Sequence, residues 1–232
     1  LVGGACGMVC CVSMRTYRII HRLHHNHLYQ KQDPDIPLHG GYPRGCSYLA
    51  KKLLRDLCGL TAWKTYAYFF GAPSSNVANN QSLQILDDTS PRLRTQAQRD
   101  RWLVASFHVA ALPIAFTTGY GFEYLLLWLL PLATIVPMLL RLRAVCEHGA
   151  VIDLTSPLGA ARTNLAPTLV QWALFPHHVN YHLEHHIYPA IPHYKLPDCH
   201  REMNRLGVLE GAEVRTIKET LGLIFADQPA TR

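Results

Sequence analysis

Two short stretches of this chain place imidazoles at a spacing that can do metal chemistry. His21, His24 and His25 form the pattern HxxHH, and His182, His185 and His186 repeat it. On a helix, positions i, i+3 and i+4 share one face, so each triplet can aim its rings at one point. The chain holds 14 His in 232 residues. At that density random placement yields roughly one such triplet in twenty chains, so two copies point to a shared task. Imidazole suits zinc, copper, iron and nickel. A zinc site needs only three or four ligands, so six imidazoles suit two metal ions with open positions. No thiolate accompanies the triplets, which argues against Cu(I) and iron–sulfur clusters. Ligand chemistry alone therefore reaches a dinuclear site with iron favoured, and stops there.

The elements that must position these rings are apolar. Hydrophobic residues make up 49% of the chain and charged residues only 16%, below the roughly 25% of a soluble domain. Runs over 102–118 and 122–140 contain no Lys or Arg and approach the roughly 20 residues a span needs. Arg99 and Arg101 precede this pair, Arg141 and Arg143 follow it, and no basic residue lies at the turn. That pattern predicts a two-span hairpin with both ends cytoplasmic. The run over 1–14 has no basic stretch before it and is closed by Arg15 and Arg18. It reads as the C-terminal half of a span, and the chain as an N-terminally truncated fragment. An even number of spans between the triplets puts both on one side of the membrane.

The expected class is thus all-α, one domain over 1–232. A half span and a hairpin of spans carry a cytosolic helical cap formed by 19–101 and 141–232. Within the cap, 33–46 and 73–90 read as loops. Residues 47–57 read as a helix lying in the interface, and 58–72 as interfacial or partly inserted. Amphipathic helices are expected over 196–206 and 212–225. The net charge of +6 lies beside apolar segments rather than in a stripe with interleaved aromatics, which excludes nucleic acid as a partner. The seven Cys are odd in number and form no CxxC pair, so neither a disulfide framework nor a zinc knuckle is indicated.

The order of motifs narrows the reading. "HRLHH" followed by "DPD", then "EHG", then "NYHLEHHIYP" resembles the membrane fatty acid desaturase family, and more closely its bacterial members, over about 15–200 of the chain. The resemblance implies that His21, His24 and His25 are the second of three histidine boxes and His182, His185 and His186 the third. His148 of "EHG" matches a further ligand position. It implies a non-haem diiron centre of two iron ions, O2 as co-substrate, and a bacterial inner-membrane location with the boxes on the cytoplasmic side. The first box is absent, so the chain as it stands is expected to be inactive alone. Removing hydrogen from unactivated methylenes is beyond any side-chain base, and the cofactor carries that step. The implied substrate is a fatty acyl lipid or acyl thioester among membrane lipids. No flavin, nicotinamide or cluster motif occurs, so electrons are expected from an external ferredoxin or cytochrome-like donor. Lys51, Lys52, Arg55, Arg201 and Arg205 offer a docking face for an acidic donor or for anionic headgroups.

Asp33, Asp35, Glu147, His178, Asn180 and Glu184 are candidates for orienting the ligands from behind, although acids near the boxes can equally cap helices. His27 and His177 flank the boxes, and His178 stands i, i+4 to His182. His108, inside a span, reads as a His hydrogen-bonded across helices. His39, His193 and His200 read as ordinary polar residues, and Tyr120, Tyr124 and Trp128 as lipid anchors or packing. Two other readings stay open. A hydroxylase, ketolase or alkane monooxygenase can share this scaffold. A non-catalytic metal-binding or transport protein would need ionisable groups along the spans, which hold only His108 and Glu123.

Overall fold

The computed structural model describes residues 2–72, 74–76, 81–83, 90–150 and 156–227. Its helices are α1 (Val2–Val9), α2 (Met14–Asn26), α3 (Ile36–His39), α4 (Cys46–Leu57), α5 (Ala62–Phe69), α6 (Pro91–Thr117), α7 (Gly121–His148), α8 (Thr168–Leu174), α9 (His182–Ile187), α10 (Leu196–Arg205) and α11 (Ile217–Ile224). Strands β1 (Ser74–Asn76) and β2 (Gln81–Leu83) pair antiparallel, and β3 (Thr163–Leu165) and β4 (Val214–Thr216) pair parallel. The mostly helical class agrees with the expectation. The chain divides into two compact units, Leu1–Pro37 with Leu54–Met138, and Leu38–Leu53 with Leu139–Arg232.

In the first unit, the apolar run read as one half span is broken. α1 stops at Val9, Cys11 turns through φ 58°, and α2 begins after Ser13. The cause is a cap built from two directions. The Ser13 side chain accepts from the Thr16 N–H, and its hydroxyl donates to Asp100 Oδ2 on α6 at 2.8 Å. The Arg15 N–H donates to the same oxygen at 3.0 Å. A carboxylate at a helix N-terminus also opposes the helix dipole. The first histidine triplet therefore rides on its own capped helix rather than on the tail of a span.

α6 starts at Pro91 under the Ser90 cap, well before residue 102, because a polar helical stretch continues directly into the apolar one. His108 bridges three elements. Its Nε2 donates to the Met8 carbonyl of α1 at 2.9 Å, and its Nδ1 accepts from the Tyr124 hydroxyl at 3.0 Å. Trp128 Nε1 donates to the Val9 carbonyl at 3.1 Å. Tyr124 and Trp128 thus tie helices together, a packing role, while Tyr120 stays exposed. Gly119, at φ 88°, turns the chain between α6 and α7, and a Cβ on Gly121 would lie 2.6 Å from the Phe116 ring.

α7 carries a π-helical turn at Leu125–Leu129, and its Pro131 and Pro137 lack N–H donors. The Thr134 hydroxyl donates to the Leu130 carbonyl at 2.7 Å within this irregular stretch. Among the described residues, α7 is the one helix long and apolar enough to cross a membrane, and its apolar window is only 11% buried. The core helix of a soluble protein would be mostly covered. α6 also exposes Trp102, Leu103 and Val109, but Asp100, Arg101 and His108 interrupt it. The expected pair of spans is therefore a helical hairpin of which one arm meets that test.

The second unit packs around Leu49, Val145, Cys146, Leu174, Phe175 and Ile224. Its helices α4 and α10 lie where helical periodicity placed them. The helix expected over 212–225 starts later, at Ile217, because Val214–Thr216 pairs with β3 instead. A capping box of Thr216 and Glu219 then opens α11. In the polar stretch 73–90 expected as loop, β1 and β2 are found, and most of the rest lies outside the described residues.

Candidate metal centre

Each unit orders its own set of imidazoles. In the first, α2 sets His21 and His25 one turn apart, with their Nε2 atoms 3.2 Å from each other. The Tyr17 ring stacks on His21 at 5.5 Å. His24 is buried, and its Nδ1 donates to Asp33 Oδ1 at 2.8 Å, with Asp35 Oδ2 at 3.5 Å. Asp33 is itself buried and accepts the N–H groups of Tyr29 and Asp35, both at 2.9 Å. Asp35 Oδ1 accepts the Tyr68 hydroxyl at 2.6 Å. Burial, and then the neighbouring Asp35 carboxylate, push the Tyr68 hydroxyl well above the usual phenol range, so it remains a donor. The "DPD" turn is thus a clamp. A His24 ring that donates from Nδ1 presents the lone pair of Nε2.

In the second unit, His148 ends α7, and His182, His185 and His186 share α9. His182 Nε2 lies 2.8 Å from His148 Nε2 and 3.2 Å from His186 Nε2. The ligand atoms of these three rings all fall within 4.8 Å of one another. His148 Nδ1 donates to the Ala160 carbonyl at 3.3 Å, which again makes Nε2 the nitrogen that carries the lone pair. One N–H cannot serve two nitrogens at once, whereas a metal ion takes all three lone pairs. The donor set therefore fits a transition metal of the kind imidazole prefers. The His185 ring stands 5.7 Å from His182 and 5.9 Å from His186. Glu147 is buried, with Oε2 3.8 Å from His182 Nε2 and Oε1 3.4 Å from Arg143 Nε.

The sequence reading missed what aims His148. Arg162 is fully buried. Its Nη1 donates to the carbonyls of Cys146 and Gly149, both at 3.0 Å, and its Nη2 to that of Ala150 at 3.3 Å. Its Nε donates to Glu213 Oε2 at 3.0 Å, and its backbone N–H to the Glu147 carbonyl at 2.8 Å. A cation at the C-terminal carbonyls complements the helix dipole. Asn164 adds a bond from Nδ2 to the Cys146 carbonyl at 3.2 Å and accepts from Thr220 at 2.7 Å. No motif marks these residues. Only an Arg within a stretch of small and apolar residues hinted at a buried charge.

Other assignments change. His39 is buried with its ring 5.0 Å from that of His148, so it is not an ordinary surface polar group. His200 is not one either, since its Nδ1 lies 2.5 Å from Glu184 Oε1. Glu184 thus pairs with His200 and with Thr163 at 2.5 Å. Asn180 is buried and donates to the Asn164 carbonyl at 3.2 Å, tying the segment before α9 to β3. His178 is exposed at φ 58° and is not brought to the imidazole group. His27 pairs with Gln30, and His177 with His193 at 4.9 Å between rings.

A search of curated proteins finds no match to the chain. A family model does match, that of fatty acid desaturases, over residues 1–217, a range that includes both triplets, the DPD clamp and His148. With that coverage, the chain belongs to the fatty acid desaturase family.

Proposed function

We propose that this protein is a membrane fatty acyl desaturase in which His21, His24, His25, His148, His182, His185 and His186 ligate two iron ions. The observation that carries the reading is the convergence of the His148, His182 and His186 nitrogens in a chain of this family. The reaction takes two hydrogens from adjacent methylenes of an acyl chain. With O2, two electrons and two protons it yields a double bond and two waters. Iron bound by these rings supplies the oxidising power, drawn from O2, that no side chain can supply. The chain's own residues orient the rings. Asp33 holds His24 from behind, and the Ala160 carbonyl holds His148. Asp35 and Tyr68 brace Asp33 through the shared turn.

The exposed apolar face of α7 supports insertion in a bilayer, with the boxes on the cytoplasmic side of a bacterial inner membrane. The two electrons come from a ferredoxin or cytochrome-like carrier. Of the basic residues offered for docking, Arg201 and Arg205 are already paired with Asp198 and Glu202, which favours Lys51, Lys52 and Arg55 for that task. The full-length gene, expressed in a host that lacks the activity, tests the reading by mass spectrometry of the acyl chains. New chains two hydrogens lighter, absent with His25→Ala or His185→Ala, support it. Chains that gain an oxygen instead would assign a hydroxylase on the same scaffold.

A further inference from the structure

α9 is too short to hold its own orientation. It has six residues, and its N-cap, Tyr181, makes no side-chain cap bond. Isolated helices of this length do not persist, so tertiary anchors must fix its rotation. His182, His185 and His186 occupy one face of it, and Glu184 points away from that face. Glu184 is completely buried. A buried carboxyl group needs partners on both oxygens, and here both come from elsewhere in the second unit. Oε2 accepts from Thr163 Oγ1 of β3 at 2.5 Å, and Oε1 faces His200 Nδ1 of α10 at 2.5 Å. The His200 ring rests 5.1 Å from that of Tyr181, the residue that opens α9.

We propose that His200 is a positioning residue for the third histidine box: through Glu184 it sets the rotation of α9 and so the aim of His182 and His186. Thr163 holds the other oxygen. Because β3 also continues from Arg162, which caps the helix bearing His148, one strand references both halves of this imidazole group. The role rests on the reading of these rings as iron ligands.

The test uses full-length protein in detergent as wild type, His200→Ala, His200→Asn and Thr163→Val. Asn can place an N–H where Nδ1 stood. Each is loaded anaerobically with Co(II), and affinity and the visible ligand-field spectrum are read beside the far-UV circular dichroism. Outer partners of metal-bound His are worth on the order of ten- to a hundredfold in affinity. His200 reaches the ligands only through Glu184, so the expected result is a loss of up to that size in His200→Ala, with an altered spectrum and unchanged helicity. Asn should restore the wild-type spectrum, and Thr163→Val should show a smaller loss. Wild-type affinity and spectrum in His200→Ala would overturn the proposal, as would a loss that Asn does not repair. A wild-type protein that binds no Co(II) would sink the functional reading and this role with it.

Discussion

At the residue scale, the proposed centre depends on which ring nitrogen carries the proton. His24 and His148 each commit Nδ1 to an acceptor, Asp33 and the Ala160 carbonyl respectively. That commitment fixes the tautomer and gives Nε2 the lone pair that the proposed iron would take. Asp33→Asn keeps the size of the side chain but replaces an acceptor oxygen with a donor. It should weaken metal binding on the order of ten- to a hundredfold, read by competition against a chelator, with little change in helicity. The triplets themselves were legible in the sequence, because i, i+3, i+4 spacing is a local property of one helix. The carboxyl groups were only half legible. Asp33 lies nine residues from its His and in a recognisable turn, whereas the partners of Glu184, Thr163 and His200, are twenty-one and sixteen residues away and carry no motif.

At the element scale, helix ends do the positioning. α2 is started by a carboxylate from α6, and α7 is finished by the Arg162 guanidinium. Arg162→Met would remove the guanidinium from three carbonyls at the end of α7, of which, among the described residues, that of Cys146 alone keeps a side-chain donor, Asn164. Removing one partner of a buried ion pair typically costs about 3–5 kcal/mol, and denaturant unfolding of the two proteins should differ by that order. The same cluster predicts an acid limit. Burial acts to raise the Glu213 carboxyl, but Arg215 and Arg162 outweigh it and hold the group below its ordinary value of 4.5. A carboxyl held low in the folded state contributes stability that is fully present above the unfolded value and is lost as pH falls through the lower folded value. Melting temperature should therefore fall as pH drops below about 4.5, and a Glu213→Gln protein should show less of that fall. The helices near 47–57 and 196–206 were read from periodicity, but α3 lies within 33–46, a stretch expected as loop because it is rich in Pro and Gly, and these ends were not read. A capping contact such as Ser13 to Asp100 joins residues 87 positions apart, and the apolar run over 1–14 concealed the break at Cys11.

At the scale of the whole molecule, each of the two units orders a group of imidazoles of its own, and the chain carries an apolar helical hairpin. The exposed positions of α7, Phe122 at 70% and Leu127 at 69%, are ones a bilayer would cover. A charge there should oppose insertion. Leu127→Arg is expected to cost about 3 kcal/mol if it lies near mid-bilayer, seen as a shift of protein out of the carbonate-washed membrane fraction. The all-α class and the apolar blocks were plain from composition. The span count was not, since Asp100, Arg101 and His108 interrupt the apolar run of α6, and all three serve contacts within the fold.

The central claim is that the seven imidazoles hold a pair of irons. Mössbauer spectroscopy of the full-length protein grown on 57Fe, with iron counted per chain, tests it most directly. The account predicts about two irons in coupled, nitrogen-rich sites, lost in His182→Ala. A protein that carries no iron, or one whose iron is untouched by that substitution, would contradict it.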